Sequence, residues 1–235
     1  MKRILRLLLP PIFIKICHKA GIIKVRSSDI IVYKKDENEK QDLEMYFDPE
    51  YAKILDSWGL DSTWEEIQKL LVTCSGKVLD IACGTGVTIT LLTKYKNLEV
   101  HGCDISDLLI KKAQERGIAK DNLMVTDATK MVYPDNNFDY SYSIGSLEHF
   151  TEKGIEKFIA EAARVTKHYS MHMIPTSKSG LNEGWMTTST TIQTFYNNSD
   201  GWWLNKFKKN FKDVYILNSI WNDGISYGRW FVCKK

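Results

Sequence analysis

VLDIACGTG, Val78 to Gly86, decides the fold of this 235-residue chain. Apolar residues run into an acid at Asp80, and only small residues follow, with glycines at 84 and 86. A buried strand of a parallel sheet reads this way. A turn almost without side chains lets backbone amides touch a ligand directly. Dinucleotide sites ask for G-x-G-x-x-G at such a turn. Aligned on Gly84 and Gly86, that pattern puts Ile89 where the third glycine belongs. Asp80 would also repel a pyrophosphate and attract a cation.

Outward from this stretch, strands and helices alternate. KVLDIAC (77–83), EVHGCDI (99–105), LMVTDA (123–128), DYSYSIG (139–145) and YSMHMIP (169–175) read as strands. Helices are expected at Asp48 to Trp58, Ser62 to Leu71, Thr88 to Tyr95, Asp107 to Arg116 and Ile155 to Lys167. Thr63 and Glu66 have capping-box spacing. Alternation of this kind means βαβ units and a mostly parallel α/β sheet. The end differs. Val214 to Trp221 and Arg229 to Lys234 flank an Asp-Gly turn signal, so an antiparallel hairpin is expected at the sheet edge.

With the strands in order, the chain resembles the class I S-adenosylmethionine-dependent methyltransferases over roughly Lys69 to Pro175 and the terminal hairpin. Their first motif is a strand ending in an acid, then G-x-G-x-G. Here it is Asp80-Ile81-Ala82-Cys83-Gly84-Thr85-Gly86, with alanine for the first glycine. The resemblance implies an α/β fold with a seven-stranded, mostly parallel sheet, an antiparallel C-terminal hairpin and helices on both faces. It implies S-adenosyl-L-methionine as cofactor, held by Asp80, Ala82, Cys83, Gly84 and Gly86. Asp104, followed by Ile105, matches the acid that grips the ribose. Asp127 and Ala128 match the pair that meets the adenine. Ser143 and Ile144, in a segment similar to the fourth motif of the small-molecule branch, should line the same site.

A hydroxyl acceptor benefits from a base near neutral pKa. His149 in GSLEHF is the first candidate and His172 in YSMHMIP the second. Some family members use E-x-x-E-H as divalent-ion ligands. Gly145 stands at the first acid here, so no metal is expected.

Charge separates an N-terminal arm from the body. The chain holds 32 Lys or Arg and 29 Asp or Glu. Seven of the bases and none of the acids lie in residues 1–26, leaving the body with 25 bases and 29 acids. A net-acidic body argues against a nucleic-acid enzyme, as does the lack of an N/D-P-P-Y/F motif. The arm has amphipathic helical spacing broken by Pro10 and Pro11. It suits peripheral contact with an anionic membrane, or packing on the protein. Its apolar runs are too short to span, and no cleavage site of signal-peptide type follows them. Five scattered cysteines without metal spacing suit a reducing, cytoplasmic setting.

The expected layout is an arm and charged linker over 1–42 and a methyltransferase domain over 43–235. An insertion at 176–211 would cover the acceptor. Its Trp185, Asn197, Asn198, Trp202 and Trp203 suit a sugar. With the arm, this points to O-methylation of a membrane-associated glycan or lipid-linked saccharide on the inner membrane face. A quinone or lipid-like acceptor is the alternative. A nicotinamide-dependent oxidoreductase and a non-catalytic cofactor-binding module are the readings from other classes.

Overall fold

The computed structural model describes residues 30–36, 43–57, 63–189, 191 and 193–235. The amphipathic arm and most of the charged linker lie outside these residues. No helix among the described residues is long and apolar enough to cross a membrane.

In chain order the strands are β1 (Val32–Lys34), β2 (Gly76–Ile81), β3 (Leu98–Asp104), β4 (Leu123–Val125), β5 (Phe138–Ile144), β6 (Thr166–Ser177), β7 (Trp185–Thr188), β8 (Phe195–Tyr196), β9 (Asp213–Asn222) and β10 (Ser226–Lys234). The helices are α1 (Pro49–Ser57), α2 (Glu66–Leu71), α3 (Val87–Leu92), α4 (Asp107–Glu115), α5 (Glu152–Val165) and α6 (Asp200–Phe207). Seven strands form the main sheet, in the order β4-β3-β2-β5-β6-β10-β9. The first five of that order are parallel, and β10 and β9 close the edge antiparallel. This is the α/β arrangement that the strand and helix pattern implies.

Alternation along each strand separates two apolar layers. Leu79, Ile81, Ile174 and Phe231 pack with α5 and α6. Val78, Val100, Met171, Met173 and Trp230 pack with α2, α3 and α4. Helices therefore cover both faces. At roughly 25 cal/mol per Å² of apolar surface, each fully buried Leu, Ile or Phe contributes about 2 kcal/mol, which makes these layers the main source of stability.

Some boundaries moved for local reasons. α5 begins at Glu152 because the Thr151 hydroxyl accepts the Gly154 N–H at 3.3 Å. It stops at Val165, not Lys167, because Thr166 turns extended and its hydroxyl meets that of Ser141 at 2.7 Å. β10 starts at Ser226, three residues before the expected Arg229, and pairs with β6 from Ser226↔Ser177 onward. Gly228 lets β9 pack close on the other side, since a Cβ there would lie 2.8 Å from Ser219 Cβ. Glu66 does not close a capping box. Its carboxylate accepts from the Ser219 hydroxyl, the Ile220 N–H and the Trp230 indole N–H, tying α2 to the terminal hairpin.

A second, three-stranded antiparallel sheet, β1-β7-β8, went unanticipated. It joins Val32–Lys34, beside the expected linker, to the insertion after β6.

Candidate functional site

From β2 the chain steps to β3 and β4 on one side, and from β5 to β6 on the other. The crevice between β2 and β5 is thus the topological switch point, where open α/β sheets bind ligands beyond their strand ends. A cavity of about 400 Å³ lies there, within the size range of small-ligand sites.

The turn after β2 forms its floor. Ala82 has φ 59° and Gly84 φ 54°, both left-handed. For Ala82 this conformation costs about 1 kcal/mol, a strain of the kind held at ligand sites. A Cβ on Gly84 would meet only Leu55 of the cavity wall, at 3.9 Å, so it would project into the cavity.

Two buried carboxylates flank the turn. Asp80, at the end of β2, accepts from the Thr88 hydroxyl and, at 3.0 Å, from the Tyr142 hydroxyl. Burial pushes its pKa up to about 7 despite those two bonds, with the nearby Asp104 charge adding to the rise. Asp104, at the end of β3, accepts the Gly84 N–H at 2.9 Å on one oxygen and the Ser106 N–H at 3.0 Å on the other. Burial raises its pKa too, and these backbone donors oppose the rise. A carboxylate offers about four lone-pair sites, so each oxygen keeps acceptor capacity toward the cavity. On the far side, Asp127 Oδ1 accepts from the Thr129 N–H and hydroxyl at 2.8 and 2.9 Å, which shapes the loop after β4.

A roof closes the cavity. Tyr51 and Leu55 of α1, with Leu43 and Tyr46 before it, line the side facing the turn. Asp56 fastens α1 down, taking hydrogen bonds from the Thr85 hydroxyl and, at 2.8 Å, from Arg116. Arg116 also donates to the Thr85 carbonyl at 3.0 Å. The Ser106 hydroxyl donates to the Tyr46 carbonyl at 2.6 Å, and the Gln193 amide to the Tyr46 hydroxyl.

Of the residues singled out in the sequence, Asp80, Ala82, Cys83, Gly84, Asp104, Ile105, Asp127, Ala128 and Ile144 border this cavity. Gly86 stands behind the turn as the left-handed residue before α3. Ser143 faces the core, with its hydroxyl 2.8 Å from His172 Nδ1. His172 is fully buried. Its Nε2 meets the Ser170 hydroxyl at 2.8 Å, and its ring stacks on Phe207 at 5.1 Å. Burial drops its pKa to about 3. Neutral and enclosed, His172 is a core residue, which corrects the expectation of a base there. His149 is buried and does not line the cavity. Its Nδ1 donates to the Thr194 carbonyl at 2.8 Å, and its Nε2 lies 3.7 Å from Glu148 Oε1.

The insertion contributes little to the cavity lining among its described residues. Of its described residues only Gln193 lines the cavity. Trp185 and Trp203 are buried core. Asn197 and Asn198 are enclosed and bonded to Glu183, Ser226 and Gly184. Trp202 is half-buried and stacks on Tyr196 at 5.4 Å, away from the residues that line the cavity.

The sequence reading missed the roof. Tyr51, Ala52 and Leu55 show helical spacing, but such a stripe reads equally as core. Only the tertiary contacts place Tyr51 and Leu55 over the glycine turn.

Comparison with known proteins agrees with this geometry. Residues 78–169 match a family model described as a methyltransferase domain. Phosphoethanolamine N-methyltransferase 1 of Arabidopsis thaliana is 35% identical over 98 residues, covering 40% of this chain and 20% of that protein. Ajmaline N-methyltransferase of Rauvolfia serpentina is 39% identical over 93 residues, covering 37% of this chain and 31% of that protein. The chain thus spans a fifth to a third of the length of these curated relatives. Among solved structures, the Burkholderia thailandensis 1,6-didemethyltoxoflavin-N1-methyltransferase, with bound 1,6-didemethyltoxoflavin and S-adenosylhomocysteine, has a TM-score of 0.70 at 9% identity. It covers 88% of this chain and 94% of that one, and shows the shared fold.

Proposed function

We propose that the protein is an S-adenosylmethionine-dependent methyltransferase that methylates a nitrogen of a small-molecule acceptor. The observation that carries the reading is the pair of buried carboxylates, Asp80 and Asp104, on either side of a side-chain-free turn at the switch point. An anionic cofactor would find no basic side chain on the cavity wall among the described residues. A cationic one finds carboxylates.

The residues fit the cofactor's parts. Asp104 has lone pairs for two ribose hydroxyls and is held rigid by two backbone N–H groups. Asp127 and the following Ala128 suit the adenine edge. Asp80 lies beneath the turn, where an ionised carboxylate suits an ammonium. When bound, the cofactor supplies an electrophilic methyl group on a positively charged sulfur. The chain's task is then to align an acceptor against that methyl and to exclude water. The roof of Tyr46, Tyr51 and Leu55 does the excluding.

Nitrogen is favoured over oxygen on two grounds. No histidine or lysine lines the cavity among the described residues to take a hydroxyl proton. Both curated relatives reported above are named as N-methyltransferases. The insertion gives no support to a saccharide acceptor, and we do not retain it. Calorimetry tests the proposal. S-adenosylmethionine and S-adenosylhomocysteine should bind at one site per chain, and NADH should not. Binding of NADH alone would replace this reading with the oxidoreductase one.

A further inference from the structure

We infer that the acceptor sharing this cavity is a small amine that carries no phosphate or other strong anion. The inference rests on the methyltransferase reading and adds the acceptor's chemical class to it.

Charge supplies the first argument. Asp80, Asp104 and Asp127 all line the cavity. Among the described lining residues no lysine, arginine or histidine balances them. Glu148, 3% exposed, adds a fourth carboxylate behind the wall, close enough to act on the Tyr51 phenol. A phosphate brought into this enclosure would lose its water, meet like charges and find no cation among the described lining residues. An ammonium would be drawn in.

The roof gives the second. Tyr46 and Tyr51 meet edge to face at 5.8 Å, and Phe150 lines the same cavity. Aromatic faces accept cations and apolar ring surfaces alike. The Tyr51 hydroxyl is the polar feature here that the fold leaves unused. Tyr51 is 4% exposed, lines the cavity, and its hydroxyl has no hydrogen-bond partner within the described structure. Burial and the neighbouring charges keep the phenol protonated, and its oxygen can still accept an amine N–H.

Charge bookkeeping over the reaction agrees. The acceptor gives its proton to bulk water on entering the cavity and stands against the methyl as the free amine, which desolvation favours. The free nitrogen lone pair then forms a bond to the methyl carbon, and the electrons of the breaking carbon–sulfur bond stay on sulfur. The positive charge passes from sulfur to nitrogen, so the number of cations that the carboxylates face is the same before and after transfer. No cavity base has to ionise the acceptor.

The test uses the full chain saturated with S-adenosylhomocysteine and two matched probes, tyramine and tyramine O-phosphate, titrated by calorimetry. Tyramine should bind on the order of tenfold or more tightly than its phosphate. Tyr51→Phe should weaken tyramine, and Gln193→Lys, which sets a cation in the wall, should narrow the tyramine-to-phosphate ratio. Equal or tighter binding of the phosphate to the unmodified chain would overturn the inference. So would the absence of tyramine binding at millimolar concentration. If S-adenosylhomocysteine itself does not bind, the fault lies in the methyltransferase reading, and the two failures are told apart in one experiment.

Discussion

Replacing Asp80 by Asn should stabilise the cofactor-free protein at alkaline pH while weakening cofactor binding. Asp80 is 3% exposed, with a pKa raised from 3.8 to about 7, chiefly by burial. For a carboxyl whose folded pKa lies above its unfolded value, stability is fully present below the unfolded pKa. It is lost as pH rises through the folded one. The loss therefore accrues between about pH 4 and 7, and its full size is about 4 kcal/mol for a shift of about three units. Between pH 5 and 8 the share is about 3 kcal/mol. Asn resembles the protonated acid in shape and charge, and its oxygen can accept from both Thr88 and Tyr142. The stability difference between Asp80→Asn and the unmodified chain should therefore move by about 3 kcal/mol in favour of Asn over that range, or roughly 5–10 °C in melting temperature for a chain of this size. His172 titrates in both proteins alike and cancels in the difference. Urea denaturation of the two proteins at pH 5, 6.5 and 8 measures it, with cofactor affinity at pH 8 measured in parallel. A difference that does not change with pH would refute the reasoning, as would an Asn variant that becomes relatively less stable as pH rises.

Three further outcomes are expected. Asp104→Ala removes the acceptor of the Gly84 and Ser106 N–H groups and the ribose contacts proposed for it, so S-adenosylhomocysteine affinity should fall on the order of a hundredfold, with about 1–3 kcal/mol of stability lost; calorimetry and urea melts report the two separately. Glu66→Ala strands three donors on the terminal hairpin and should cost about 2–4 kcal/mol of stability, read as a lower urea midpoint. His172→Leu should cost about 1–3 kcal/mol through the unpaired Ser143 and Ser170 hydroxyls but leave cofactor affinity unchanged; a loss of affinity in a folded variant would contradict its assignment to the core.

The sheet was legible because burial writes itself into periodicity. VLD (78–80) and GCD (102–104) run through apolar or small residues into an acid, and both became parts of parallel strands ending at the cavity. The floor was legible for the same reason, since a turn that must touch a ligand tolerates few side chains. What stayed hidden was set by contacts distant in sequence. Tyr51 is over the turn because Asp56 bonds Thr85 and Arg116, 29 and 60 residues away. No local pattern encodes such a clasp. The same holds for the small sheet, where Val32 pairs with Thr188. Trp and Asn in the insertion misled because residue type alone does not say which way a side chain faces. Trp203, read as a sugar platform, is fully buried, and His172 was ambiguous until Ser143, Ser170 and Phe207 enclosed it.

The most direct measurement is a crystal structure of the complex with S-adenosylhomocysteine. Both ribose hydroxyls should lie about 2.7 Å from the Asp104 carboxylate, with the adenine against Asp127 and Ala128. Electron density for the ligand anywhere else, or a ribose that leaves Asp104 bonded only to Gly84 and Ser106, would contradict the account.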